Sequence, residues 1–427
     1  MKMVKINQQI LRKVNTNRKI NKEDYLKFLS SSEKDKLLTE ASHLSGKKIV
    51  HINATAKGGG VAELLSSLIP YLKSLGIKSE WYAISPDIGN KFFEIGNKFF
   101  HLSQGASIKI SSQEWDSYKK TSKKILKEIE KINGDILVVN DTQPLLAGYL
   151  SKRFEKKVYY NHTDTSSINK SFWNKIFPWL EGYQKIIFSH KDFIVEDKRL
   201  KGVTKVFAPA IDPLSLKQKI VSKKKARLYL KENSDIPASG PLIVQVSRFD
   251  PWKNPAGLVE AFLKFKEKNK NAKLALVGFN QAKDNPAAKA VYEDIKEITK
   301  NNKDIYLFFE PQGKKITEFT MMAQNAGDIL VQNSIREGFG LTVAEAMWKG
   351  KVMIGGPASG IRRQIKNGKN GLIAKDSDEL AKKMELILND KSLKRDLGKK
   401  AKKSVLKNFL FTRLVFDHLR LYRHLLR

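Results

Sequence analysis

The stretch Lys48–Leu75 most constrains the fold. Lys48–Asn53, KIVHIN, reads as a buried parallel strand built on Ile49, Val50 and Ile52; a glycine-rich turn follows from Ala54 to Gly60, and Val61–Leu75 carries apolar residues at helical spacing. A strand covered on both faces reads as a continuous apolar run, whereas a half-exposed strand alternates. Strand, glycine turn and helix in that order make the first unit of a doubly wound parallel sheet. Further strands are predicted at 78–84, 135–139, 158–161, 185–189 and 206–209, and, beyond a lysine-rich stretch, at 241–246, 273–277, 305–309 and 352–354. A length of 427 residues suits two or three domains of this kind.

The chain has no cysteine, which excludes disulfides, thiolate metal sites and a cysteine nucleophile. No apolar run is long enough to span a bilayer. The N-terminus, MKMVKINQQILRKVNTNRK, is basic but lacks the apolar core of a signal peptide, so the cytoplasm is the expected location. The net charge of +35 admits two readings, a polyanion partner or lysines spread over a solvated surface. The lysines run along the whole length without interleaved aromatics, which favours the second; no specific nucleic acid partner is expected.

The chemistry gathers in Asn333–Gly360, NSIREGFGLTVAEAMWKGKVMIGGPASG. Gly338 and Gly340 allow a ligand close to the backbone, and a helix predicted over Leu341–Lys349 would present its free N–H groups to a phosphate. Glu337 precedes the loop and Glu345 lies about one turn inside the helix. A ligand lying along the helix start would meet one carboxylate at each end, as a sugar nucleotide does with its sugar hydroxyls, diphosphate and ribose. In the chain's first half, Asn140-Asp141-Thr142-Gln143-Pro144 and His162-Thr163-Asp164 follow predicted strands, where open α/β sheets bind ligands. Their polar groups either bond a sugar or close Asx turns. Arg248 and Lys253, in SRFDPWKNP, stand at another strand end, where two fixed cations can neutralise a departing diphosphate. Asp376-Ser377-Asp378 directly precedes a helix and reads as an N-cap rather than a metal site.

SIREGFGLTVAEAMWKGK, HINATAKGGGVAELLSSLIP and SRFDPWKNP resemble the signatures of retaining glycosyltransferases of the glycogen-synthase-like family four, and among them those of the trehalose synthases. The resemblance runs from about residue 47 to 375. It implies a GT-B architecture, with two Rossmann-like doubly wound domains facing across a cleft that closes to assemble the site. The expected segments are a helical extension (1–46), an acceptor domain (47–213), a linker leading into the second domain (214–237), a donor-nucleotide domain (238–395) and terminal helices that cross back (396–427). The implied reaction moves glucose from a nucleoside diphosphate to free glucose. The implied catalytic residues are Glu337, Arg248, Lys253 and His162. Donor contacts fall to Gly59, Gly60, Gly338, Phe339, Gly340, Leu341, Thr342 and Glu345, and acceptor contacts to Asp141, Gln143 and Asp164. No metal or organic cofactor is implied; the partners are the sugar nucleotide and glucose, with a homodimer as the assembly considered. Asn140, Thr142 and Asn161 depart from the usual pattern of the family and bear on the acceptor. The alternatives are a trehalose phosphorylase, a transferase with another sugar acceptor, and a non-catalytic binder of sugar nucleotides or polyanions.

Overall fold

The apolar runs become strands, and the strands gather into two sheets. The computed structural model describes residues 9–16, 18–57, 59–278, 286–309 and 316–427. The chain divides into two compact units, one joining the chain up to Ala208 with Leu414–Arg427, the other Pro209–Arg413.

In the first unit the described strands are β1 (Leu11–Lys13), β2 (Lys48–Asn53), β3 (Lys78–Ile84), β4 (Ile136–Asn140), β5 (Lys156–Asn161), β6 (Lys185–Phe188) and β7 (Thr204–Val206), in the order β1-β3-β2-β4-β5-β6-β7. β2 to β7 run parallel, and every residue of β4 is buried. The extension expected to be helical also contributes a strand. β1 pairs antiparallel with β3, and the buried Leu11 sits opposite Ile84. Three residues with one apolar side chain carry too little pattern to read as a strand; the open edge of β3 supplies the hydrogen bonds.

Helices Asn90–Ser103, Ser112–Ile129 and Lys170–Leu180 lay an aromatic layer on this sheet. The Phe99 ring lies 4.8 Å from that of Tyr118 and 5.0 Å from that of Phe172. The aromatic segment after Phe92 is therefore packing material. The last of these helices, Lys170–Leu180, has Pro178 in its last turn. On the other side, helix Phe411–Leu425 buries His418 and Tyr422, and the Tyr422 hydroxyl meets His51 Nε2 at 3.2 Å.

The second unit holds β8 (Leu242–Val246), β9 (Lys273–Gly278), β10 (Ile305–Phe309), β11 (Ile329–Gln332), β12 (Met353–Gly355) and β13 (Leu372–Ile373), all parallel, in the order β10-β9-β8-β11-β12-β13. Residues 214–237 are not a separate linker. They fall within this unit, where helix Lys223–Asn233 packs on helix Ile316–Ala326 and the buried Arg227 binds Asp328 at 2.7 Å. The Asp376 carboxylate caps helix Ser377–Asn389 through the Glu379 N–H at 2.8 Å, and Asp378 pairs with Lys264 at 2.6 Å. Among the described residues no helix is long and apolar enough to cross a membrane.

Both sheets reverse direction next to their first long parallel strand. In the first unit β2 lies between β3 and β4; in the second β8 lies between β9 and β11. The crevice beyond the C-terminal ends of such a strand pair is where open sheets take ligands. β4 leads into Asn140–Asp141, β8 into Ser247–Arg248, and β11 into Asn333 and the loop toward Glu337.

Candidate active site

In the second unit two loops are locked together before any ligand arrives. The buried Gln245, near the end of β8, accepts from the Asn333 N–H at 3.0 Å and donates to Ser247 Oγ and to the Lys253 carbonyl at 3.3 and 3.4 Å. The Trp252 carbonyl accepts from the Ile335 N–H at 2.8 Å. Asn254 takes a left-handed conformation at φ 48°, starts helix Pro255–Lys268, and caps it through the Gly257 N–H at 3.2 Å. These contacts deliver Lys253 to Glu337: Nζ lies 2.5 Å from Oε2, and the two side chains are 15% and 11% exposed. Ser334 Oγ adds a donor to the same oxygen at 3.3 Å. Gln332 holds Ser334 from behind at 2.9 Å and accepts from Thr342 Oγ1 at 3.0 Å.

Helix Leu341–Trp348 begins beside this ion pair. Its first residue follows Gly340, at φ 80°, and no side chain caps it. A Cβ on Gly340 would come within 3.1 Å of Glu337 Cγ, so both conformation and space require glycine there. Gly360 is tighter still: a Cβ would lie 2.6 Å from the Glu337 carbonyl. An uncapped helix N-terminus, with its dipole and amides, next to a lysine is an arrangement suited to an anion. Gly338 and Gly340 line it with backbone. Phe339 contributes only backbone, since its side chain is buried with its ring 5.5 Å from that of Phe409. Arg248 is half-exposed and only loosely paired, 3.5 Å from Asp250. Glu345, one turn into the helix, is buried and accepts from Gln324 Nε2 at 3.1 Å. The structure thus brings Lys253, Glu337 and the helix start together. The Gly278–Pro286 segment lies almost wholly outside the described residues.

The first unit's residues gather around a neutral histidine. Asn140 donates from Nδ2 to the Ile52 carbonyl at 3.1 Å, which turns Oδ1 toward His162 Nε2 at 2.9 Å. A carbonyl only accepts, so the amide orientation is fixed and His162 must carry its proton on Nε2. The Tyr160 ring stacks on the imidazole, with centroids 3.9 Å apart. Burial, with His418 adding repulsion, pushes the His162 pKa down to about 3, so the ring is neutral across the physiological range. The aspartate that His162 meets is Asp141, not the neighbouring Asp164: Asp141 Oδ1 accepts from the His162 N–H at 2.9 Å. Asp141 sits at φ 61°, and burial pushes its carboxyl up to about 7 against that hydrogen bond. Asp164 closes an Asx turn with Ser166, accepting from its N–H at 3.0 Å and its hydroxyl at 2.6 Å. Gln143 packs against Gly96, and its Oε1 is buried without a hydrogen-bond partner among the described residues. Gly59 and Gly60 open helix Gly59–Ser74, exposed, with Gly59 at φ 78°; Gly58 is outside the described residues.

The supporting glutamines Gln245, Gln332 and Gln324 were not singled out in the sequence. Two of them carry a signal in hindsight: a glutamine near the end of an otherwise apolar strand run, as in PLIVQV and DILVQN, is buried and needs polar partners.

Comparison with known proteins follows the same division. Residues 51–195 match the family described as "Trehalose synthase, N-terminal domain", and residues 228–404 match "Glycosyl transferases group 1". The chain is 35% identical to a trehalose synthase of Pyrococcus horikoshii over 92% of its own length and 93% of that protein's. A trehalose synthase of Thermococcus litoralis is 33% identical, with 95% and 96% covered. A trehalose phosphorylase of Pleurotus pulmonarius is 24% identical over 88% of this chain but only 57% of its own length. Among solved structures, a trehalose-6-phosphate synthase aligns with a TM-score of 0.69 at 14% identity, covering 87% of this chain and 99% of the other. That likeness and the two parallel sheets identify the GT-B fold, with two Rossmann-like domains.

Proposed function

The chain belongs to the trehalose synthase family and is a glycosyltransferase, and from that premise we propose that it transfers glucose, with retention, from a nucleoside diphosphate to free glucose, giving α,α-trehalose. The observation that carries this reading is the Lys253–Glu337 pair beside the uncapped start of helix Leu341–Trp348. It joins cation, carboxylate and free amides as a sugar diphosphate requires. The second unit would hold the donor. Glu337 would bind the hydroxyls of the transferred sugar, the amides of Gly338–Thr342 the diphosphate, and Glu345 the ribose. The first unit would hold the acceptor through Asp141, Gln143 and Asp164. Gly59 and Gly60 would add backbone contacts to the donor.

The step breaks the bond from the glucose anomeric carbon to the diphosphate oxygen and forms the new glycosidic bond on the same face. The departing diphosphate oxygen takes the acceptor hydroxyl proton. Its charge would be stabilised by Lys253, Arg248 and the helix dipole, with no metal or organic cofactor required. His162, neutral and fixed in one tautomer, would bond a sugar hydroxyl without adding charge to the site.

The likeness to a phosphorylase gives a second reading, in which orthophosphate takes the nucleotide's place. The buried Glu345 speaks against it, since orthophosphate offers no ribose to bind. The two readings separate in one assay. Purified protein is incubated with glucose and, in turn, ADP-, UDP- or GDP-glucose, and nucleoside diphosphate release is followed; parallel samples receive trehalose with either nucleoside diphosphate or orthophosphate. Glucose-dependent release from one donor supports the transferase. Trehalose cleavage by orthophosphate alone would replace it with the phosphorylase.

A further inference from the structure

Behind Glu345 lies a buried lysine that does not touch the ligand-facing surface. Lys349 follows the last turn of helix Leu341–Trp348, and its ammonium is enclosed by oxygen acceptors: Gln324 Oε1 at 2.8 Å, the Glu345 carbonyl at 3.2 Å and Gln218 Oε1 at 3.3 Å. Gln324 comes from helix Ile316–Ala326 and Gln218 from the turn Leu216–Gln218, so three elements converge on one charge. Both glutamines are buried.

The chemistry of this cluster leaves one arrangement. An ammonium has donors only, so it must face the carbonyl oxygen of Gln324. The amide nitrogen then faces the other way and donates to Glu345 Oε2 at 3.1 Å. With the amide reversed, nitrogen would face ammonium and oxygen would face carboxylate, two repulsive contacts in place of two bonds. Lys349 and Glu345 thus agree on one orientation of Gln324, and Gln324, anchored by the ammonium, holds the carboxylate in place. Glu345 Oε2 is held, which leaves Oε1 for a ligand. Burying an ammonium costs several kcal/mol in order of magnitude unless it is paired and hydrogen-bonded. Hydrogen bonding to three acceptors and the nearby Glu345 charge offset that cost here.

We propose that Lys349 and Gln324 are positioning residues for nucleotide recognition, a relay that holds the Glu345 carboxylate in the one orientation that accepts a ribose diol. The inference rests on the assignment of Glu345 to the ribose. The relay also carries a pH dependence. Burial pushes the Lys349 pKa down to about 8; Glu345 opposes the shift and Lys217 adds to it. A further cation, Lys402, stands 5.3 Å over the Trp348 ring, and Gln324 and Gln218 are uncharged. Below pH 8 the ammonium and the Glu345 carboxylate hold the Gln324 amide from its two ends. Above it the amine is neutral, its hold on Gln324 Oε1 weakens, and the carboxylate alone orients the amide.

The test is calorimetric titration of ADP, UDP and GDP, each alone, into wild type, Lys349→Met, Gln324→Leu, Glu345→Gln and the Lys349→Met/Glu345→Gln double variant, with kcat at saturating donor. Lys349→Met and Gln324→Leu are each expected to weaken the best-bound nucleotide about tenfold at pH 7 while kcat stays within about twofold. In the Glu345→Gln background, Lys349→Met is expected to add nothing, because coupled residues are not additive. Wild-type affinity should fall above pH 8, and that fall should be absent in Lys349→Met. If Lys349→Met does not fold, Gln324→Leu carries the same comparison. Unchanged affinity in Lys349→Met or Gln324→Leu, or full additivity in the double variant, overturns the relay while leaving Glu345 on the ribose. Unchanged affinity in Glu345→Gln overturns the ribose assignment, and the relay with it.

Discussion

The two units present the same architecture with opposite electrostatics. At its switch point the second unit sets a lysine against a glutamate at 2.5 Å, beside a helix N-terminus. At its own, the first unit sets a histidine held neutral by burial, an asparagine that fixes its tautomer, and an aspartate whose carboxyl is raised to about 7. In the proposed reaction one sheet end would meet charge and the other hydroxyls. That division matches the two substrates of the proposed reaction. A sugar diphosphate brings negative charge that grows as the bond breaks, whereas glucose brings none. Fixed charge in the second unit acts where charge develops, which is where preorganised electrostatics contributes most.

The largest effect should come from the charged side. Glu337→Ala is expected to lower kcat by about a hundredfold or more, because it removes both the sugar ligand and the partner of Lys253. Steady-state kinetics at saturating donor checks this, and near-normal kcat would dissolve the contrast between the units. Lys253→Met should lower kcat by about tenfold to a hundredfold, with a smaller change in donor KM, as expected for a group that acts on charge present mainly in the transition state. Gly340→Ala comes next. The positive φ and the 3.1 Å approach to Glu337 should cost about 1–2 kcal/mol of stability and raise donor KM by displacing the carboxylate. Thermal melts and KM together check it.

The smallest effect belongs to the neutral side. Asp141→Asn preserves the acceptor for the His162 N–H and suits a left-handed backbone. Because the folded carboxyl titrates near 7 against an unfolded value near 4, the folded state holds a proton that the unfolded state has lost between those values. Wild-type stability therefore loses this contribution as pH rises from about 4 to about 7. The variant should match wild type near pH 4 and melt a few degrees higher at pH 8, as read by calorimetry. His162 has the opposite sign: its folded value is depressed to about 3, so its contribution is present above the unfolded value near 6.5 and lost as pH falls toward 3. Identical melting of wild type and Asp141→Asn at pH 8 would contradict the account of the first unit.

Much of the fold was legible because buried parallel strands write themselves as apolar runs. Lys48–Asn53, Lys78–Ile84 and Ile305–Phe309 form strands over the predicted residues. The Asp376 cap was legible from its place before Glu379 and a helical pattern. Features decided by tertiary contact were not. β1 is a strand only because β3 has an open edge. The second unit claims residues 214–237 through Arg227 and Asp328, 101 positions apart. In the candidate site, Lys253 and Glu337 were each readable from a local motif, but their pairing spans 84 residues. The His162–Asp141 contact spans 21 and displaces the nearer Asp164. A sequence displays the residue types that chemistry needs; which of them meet is set by the order of strands in the sheet.

The most direct test is the product itself. Wild-type protein is incubated with carbon-13-labelled glucose and the nucleoside diphosphate glucose it turns over, and the products are followed by NMR. The account predicts a disaccharide with two α-anomeric positions joined 1,1, formed in step with free nucleoside diphosphate. A β-configured linkage, a different linkage position, or donor hydrolysis without any disaccharide would contradict it.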